Sequence, residues 1–200
     1  MLEDFNLVVA TYRLRENDCI SELWFFAREI GDKALDASKT GLPSLIVVKT
    51  GLDPEEFTSR MREKILENPY YFRYVLKVTP IQITVDASLE NIRDAALRLA
   101  SARLEPSETY KVEAHVRLSE LRREDIIDAI ATHVQNKVSL ETPDKIITVE
   151  VIGERAGLSV IKPSSIISVE KLRREARKLK QKPVSAGEVE EGSPPPENTY

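Results

Sequence analysis

The stretch KVSLETPDKIITVEVIG, residues 137–153, constrains the fold of this chain more than any other. A short apolar step from Val138 to Leu140 crosses a polar turn at Pro143 and Asp144. It then enters a β-branched run: Ile146, Ile147, Thr148, Val149, Val151 and Ile152. Side chains branched at Cβ pack well on a pleated surface and are disfavoured in helices, so the run predicts a strand over 145–152. Gly153 to Gly157 turns it toward Leu158–Ile161, which predicts a hairpin with Glu154, Arg155 and Ala156 near its tip.

The rest of the chain reads as alternating strands and helices around such a hairpin. Residues 6–12, NLVVATY, predict a buried strand, and Ile20, Leu23, Ala27, Ile30 and Ala34 stripe a helix near 18–37. A strand over 44–50 precedes Asp53 and Pro54, a helix cap and first-turn proline, behind which Phe57, Met61 and Ile65 recur every four residues. Residues 71–85 are strand-rich, with Pro80 marking either a break or an edge. This β-α-β-α-β order resembles a ferredoxin-like α/β sandwich over residues 1–80.

In a second unit, over 81–182, Ser88 is expected to cap a helix striped by Leu89, Ile92, Ala96 and Leu99. Over 109–117, Tyr110, Val112, Ala114 and Val116 alternate with Lys111, Glu113, His115 and Arg117, so one face of that strand is core and the other polar. Ser119 is expected to cap a helix whose inner face is Ile126, Ile127, Ile130, Val134 and Val138. From Ser168 a basic helix with a narrow stripe of Val169, Leu172, Ala176 and Leu179 closes the unit. The expected class is therefore α+β, followed over 183–200 by an acidic tail with three consecutive prolines that is expected to be disordered.

Charge matters here for its distribution. The net charge of −4 comes mostly from residues 181–200, which hold 1 basic and 4 acidic side chains, so a polyanion site in the rest must be a local patch. Residues 171–182 carry 7 basic side chains against Glu175 alone. No apolar run approaches the roughly 20 residues that cross a bilayer, and the N-terminus does not read as a secretory signal, so a soluble cytoplasmic protein is expected. Cys19 is the only cysteine and sits on an apolar stripe, where a buried small hydrophobe is expected.

Catalytic chemistry leaves no trace in the motifs. The seven glycines form neither GxGxxG nor GxxxxGK, and two histidines with one cysteine match no zinc spacing, so no catalytic residue, metal or cofactor is expected. His115 and His133 read as structural or solvated. For His115 a second reading, stacking on or donating to a nucleotide, stays open because Lys111 and Arg117 share its face.

Residues 88–162 resemble a THUMP domain, an RNA-binding module of tRNA-modifying proteins. The resemblance rests on ETYKVEAHVR as its first strand, LRREDIIDAIATHVQNKVSL as the following helix and ETPDKIITVEVIGERAGLSV as the hairpin. At the joint, Ser139 and Thr142 stand where the family usually has Asp and Asn. The preceding RYVLKVTPIQITV, residues 73–85, resembles the segment that joins a ferredoxin-like domain to THUMP in the adaptor of tRNA cytidine acetylation. The resemblance is good over 70–165 and holds only in outline over 1–70.

It implies a non-catalytic protein that binds the acceptor end of tRNA and presents it to a separate partner, an RNA acetyltransferase or another tRNA-modifying enzyme. The expected phosphate-holding residues are Arg73 and Lys77, taken to share one strand face; Lys111, His115 and Arg117 on another; and Arg122, Arg123 and Lys137 toward the ends of a helix. Each alone also reads as a solvated surface charge. A ferredoxin-like module for a protein or small ligand, without RNA, is one competing expectation, and an enzyme in its own right is another.

Overall fold

The computed structural model describes residues 3–181, so the acidic tail expected over 183–200 lies outside the described residues. The chain is mixed α and β, with two sheets and five helices among those residues. It opens with β1 (Leu7–Thr11), α1 (Glu16–Glu29), β2 (Asp36–Lys39), β3 (Leu45–Lys49), α2 (Pro54–Glu67) and β4 (Val75–Pro80).

The helices start and stop where local chemistry dictates. The Asp53 carboxylate accepts from the amides of Glu55 at 2.9 Å and Glu56 at 3.0 Å, and Phe57, Met61 and Ile65 are buried as their spacing requires. α1 ends at Glu29 rather than near residue 37, because Gly31 takes φ 85° and turns the chain out of the helix. Asp32 then tucks inward and accepts from the amide of Ala34 at 3.0 Å, the amide of Gly51 and the hydroxyl of Thr50. The freed residues form β2, which the sequence pattern does not announce. Asp-Ala-Ser-Lys has no β-branched residue and becomes a strand by pairing with β3, Asp36 opposite Lys49 and Lys39 opposite Ile46.

Pro80 marks a change of sheet. The Ile81 amide still donates to Asn6 of the first sheet at 2.8 Å, and the next amide, Gln82, donates to Leu158 of the second at 2.9 Å. The chain then forms β5 (Ile83–Asp86), α3 (Leu89–Arg103), β6 (Tyr110–Arg117), α4 (Arg123–Ala131), β7 (Lys145–Ile152) and β8 (Arg155–Ile161). The second sheet has the order β5-β8-β7-β6, with β6 parallel to β7 and the other pairs antiparallel. Ser88 caps α3 as expected, accepting from the Asn91 amide at 3.1 Å.

The helix expected from Ser119 to Val138 is shorter. Ser119, three positions ahead of the Arg122 cap, accepts from the Leu121 amide, and α4 stops at Ala131. Val138 is exposed because the chain there pairs with β6: the Tyr110 amide donates to Lys137 at 3.0 Å and the Ser139 amide to Tyr110 at 2.9 Å. The turn that follows is tied down by Asp144, which accepts from the Thr109 amide at 2.8 Å and the Thr109 hydroxyl at 2.7 Å.

The chain does not finish on the second unit. After a 3-10 turn at Pro163–Ser165, β9 (Ile167–Ser168) pairs with β4, extending the first sheet to β2-β3-β1-β4-β9, and α5 (Val169–Gln181) packs on α2. Ile167, Val169 and Leu172 join the core of the first unit, and Arg62 of α2 reaches both carboxylate oxygens of Glu175 at 2.8 and 2.9 Å. The basic helix that sequence reading places with the second unit thus belongs to the first. An apolar stripe declares that a helix docks, not on which neighbour.

Each sheet carries helices on one face and meets the other sheet on its second face. Phe5, Val8, Leu45, Val47, Ile81 and Ile152 form an apolar cluster in this seam, distinct from the two helix-covered cores. Gly157 of β8 lies under it, where a Cβ would come within 2.8 Å of the Phe5 ring and 2.9 Å of Ile81. Gly157→Ala is therefore expected to cost about 1–3 kcal/mol in chemical denaturation, as overpacking does in a filled core. A variant as stable as the parent would show that the seam is loosely packed.

Candidate nucleic-acid interface

Where the two sheets part at the edge of the seam, a groove of about 550 Å³ opens between the units. Four cations from four elements line it: Arg62 of α2, Lys77 of β4, Lys111 of β6 and Lys171 in the first turn of α5. Lys77 is held by the pairing of β4 with β9, opposite Ser168, and Lys111 stands on the edge strand of the second sheet. Two of the four are already neutralised, Arg62 by Glu175 and Lys111 by Glu113 at 2.5 Å. Lys77 and Lys171 pair with no carboxylate among the described residues, so the groove keeps a positive field. Ser164 and Ser168 add hydroxyls at its wall.

The expected site residues separate into groups. Lys77 and Lys111, from different sheets, face the same groove, and Lys137 lies on the loop beside that end of β6, where its carbonyl accepts from Tyr110. Lys137 is thus a loop residue and not a helix end. Arg73 lies in the bend before β4, so it does not share a strand face with Lys77; its side chain is exposed and its amide donates to Glu22 at 2.6 Å. Arg117 is six positions beyond Lys111, roughly 20 Å along the strand at 3.3 Å per residue. Arg122, which caps α4 3.7 Å from Asp125, and Arg123, which opens that helix, are exposed beyond that far end.

His115 and Arg117 have a partner that the sequence does not reveal. Glu150 of β7 stands in register with His115 and is buried, its Oε2 2.6 Å from Arg117 Nη1 and its Oε1 3.3 Å from His115 Nδ1. Burial by itself pushes the Glu150 carboxyl up; the proximity of His115 and the charge of Arg117 outweigh it and hold the carboxyl below its usual range. Arg117, which donates to Glu150, compensates a buried charge, and His115 lies beside it.

Sequence reading missed Arg62, and it noted Lys171 only as one of many charges on a basic helix. Their neighbours in sequence carry no motif, since the groove is assembled from positions 62, 77, 111 and 171. Cys19 is fully buried in α1, and burial pushes its thiol up to about 12, which leaves it neither nucleophile nor ligand at neutral pH. Among the described residues no cluster of His, Cys, Asp and Glu could hold a metal, and no helix is long and apolar enough to cross a membrane.

The THUMP domain family model matches residues 86–161, so a THUMP domain is present; the match covers α3, β6, α4, β7 and β8. No curated protein sequence matches the chain. Among solved structures it is similar to PH1313 from Pyrococcus horikoshii, at 19% identity and a TM-score of 0.55 over 82% of this chain and 55% of that one. TrmN from Thermus thermophilus matches at 17% identity and 0.56, over 80% of this chain and 47% of that one. A 4-thiouridine synthetase, solved as an RNA complex with bound ATP, matches at 13% and 0.52 over 82% and 42%.

At these identities the likeness is one of fold, and the chain spans about half the length of the solved chains it matches. The neighbours correct one expectation. The expectation of a protein without catalytic function, which rests on missing motifs and on the resemblance to an adaptor, does not stand, because chains of this fold include a 4-thiouridine synthetase solved with bound ATP.

Glu150 makes a pH prediction. Its folded carboxyl titrates below the ordinary glutamate value of 4.5, so it adds stability above that pH and loses it as pH falls through the lower, folded value. Unfolding free energy measured by urea titration should therefore fall as the medium is acidified below about 4.5, and Glu150→Gln should flatten that dependence. Arg117→Ala leaves the buried carboxylate short of its closer partner and should cost about 3 kcal/mol at neutral pH. An Arg117→Ala protein as stable as the parent would remove this pair from the structural role.

Proposed function

We propose that this chain is the tRNA-binding part of a tRNA-modifying enzyme, holding the acceptor end of tRNA in and around the groove between its two units. The observation that carries the reading is the convergence of Lys77, Lys111, Lys171 and Arg62 on one groove at the border of the THUMP domain. THUMP domains are RNA-binding modules, and one structural neighbour was solved with RNA. Unpaired lysines hold phosphates through charge, and a neutral to acidic chain with one such groove is a modest, local binder.

The first unit is taken as a ferredoxin-like domain, which its β-α-β-β-α-β order and strand order β2-β3-β1-β4 support. On this division residues 1–80 and the returning segment from 163 make one domain, and 81–162 the other. The reaction assigned is acetylation of a cytidine, with an RNA acetyltransferase as the partner. That assignment rests on the resemblance of residues 73–85 to the joining segment of the acetylation adaptor. Lys137 adds a further phosphate-holding charge near the groove, while Arg73, His115, Arg117, Arg122 and Arg123 act, where they touch RNA, outside it.

Filter binding with whole tRNA, tRNA lacking its 3′ end and duplex DNA tests the reading. Whole tRNA should bind best, and Lys77→Glu with Lys171→Glu should weaken it strongly at low salt. The slope of log affinity against log salt should also flatten by about 0.7–0.9 for each phosphate that the variant no longer neutralises. Equal binding of all three nucleic acids, or a double variant that binds as the parent does at every salt concentration, removes tRNA from this groove.

A further inference from the structure

α1 turns two large aromatic side chains away from the core. Trp24 is 52% and Phe25 67% exposed, while Leu23 and Phe26 beside them are buried. A helix that only covers its sheet carries polar residues on that face. Phe25 leans toward Tyr71, ring centroids 6.5 Å apart, and the adjacent Tyr70, 62% exposed, continues the surface to α5. There the guanidinium groups of Arg173 and Arg177 stand 5.7 and 5.9 Å from the centre of the Tyr70 ring. Arg173 is fixed by the carbonyls of Pro69 at 2.9 Å and Phe72 at 2.6 Å, so this end of the surface is rigid and not a free basic fringe.

On the other side of Trp24, a cleft of about 370 Å³ opens against Ala27 and Leu35 and is edged by Arg28, Lys33 and Asp32, whose carboxylate is taken up by the Thr50 hydroxyl and the amides of Ala34 and Gly51. Neither cation pairs with a carboxylate among the described residues. Aromatic rings thus run from the cleft to α5 with cations at both ends. None of them lines the groove between the two units.

We propose that this aromatic stripe seats the chain's own segment 182–200, with Pro194, Pro195 and Pro196 against the rings and the acidic side chains against the flanking cations. The chemistry of the segment fits the stripe. Consecutive prolines favour an extended polyproline helix, which aromatic-lined grooves accept at low ordering cost. Residues 183–200 contain four glutamates, Glu188, Glu190, Glu191 and Glu197, and no Lys or Arg, so the segment complements a surface edged by Arg28, Lys33 and Arg177. The point of departure fits as well. Arg177 already stands at Tyr70, and α5 runs only about 6 Å further to Gln181. From there to Pro194 an extended chain reaches roughly 40 Å, against about 21 Å for the whole length of α1.

Trp24 is the only tryptophan and reports on its own surface. The experiment compares acrylamide quenching of its fluorescence in the full chain and in a chain ending at Gln181, at low salt and at several protein concentrations. Truncation should raise the quenching constant by about twofold or more and move the emission to the red, and the peptide 182–200 added to the truncated protein should reverse both, as docking of the segment requires. Substituting Pro194, Pro195 and Pro196 by Ser in the full chain should reproduce the truncated behaviour with the fold intact by circular dichroism.

Identical quenching in the full and truncated chains overturns the proposal. A difference that vanishes on dilution assigns the stripe to a second copy instead. Protection of Trp24 by tRNA alone, equal in both chains, assigns it to RNA. Either outcome removes the segment as occupant.

Discussion

Phe5 and Ile81 press against the backbone of Gly157, and on that contact the relation of the two units depends. Each sheet buries apolar side chains of its first face under helices; on its second face the first sheet gives Val8, Leu45 and Val47 to the seam, while the second sheet gives Ile152 and is otherwise largely polar. A glycine in the interior of β8 lowers the intrinsic strand preference by removing the side chain, and in return lets the two backbones approach. Val8, Leu45 and Val47 of the first sheet and Ile152 of the second fill the space around it. The seam holds Lys77 of one unit opposite Lys111 of the other, and so it also shapes the groove.

The return of the chain reinforces the seam. β9 adds only Ile167 and Ser168 to the edge of β4, and α5 then buries Val169, Leu172 and Ala176 beside α2. The first unit is therefore closed by residues that follow the second, and separating the two would expose part of the core. The same return delivers Lys171 to the groove and Arg173 and Arg177 to Tyr70. One short strand thus sets the place of two basic patches.

Charge in this protein is mostly compensated, which decides what its basic residues can do. Lys111 with Glu113, Arg62 with Glu175 and Arg117 with Glu150 each commit a cation to a carboxylate. At the first two pairs, which are partly buried but still reach solvent, the gain is small and salt screens it. At Glu150 the burial makes the partner a requirement, because an uncompensated carboxylate inside a protein is strongly destabilising. A count of Lys and Arg along β6 therefore overstates the positive field of that strand, and the cations left unpaired at the groove are few.

Much of the secondary structure was legible in the residues. The cap at Asp53, the cap at Ser88, the alternation over 110–117 and the β-branched run at 145–152 are local signals that the structure honours, since hydrogen bonds to the first turn and the period of the pleat depend on near neighbours. β2, the end of α4 and the partner of α5 were not legible, because each is settled by what lies across from it: β3 for Asp36–Lys39, Tyr110 for Lys137–Ser139, and α2 for the stripe of Val169 and Leu172. The groove follows the same division. Sequence by itself determined that Lys77 and Lys111 lie on strands and that Lys171 opens a basic helix. Only the tertiary structure decided that they meet with Arg62, and that Arg117 turns to Glu150, because charges separated by tens of residues interact only after the sheets have packed.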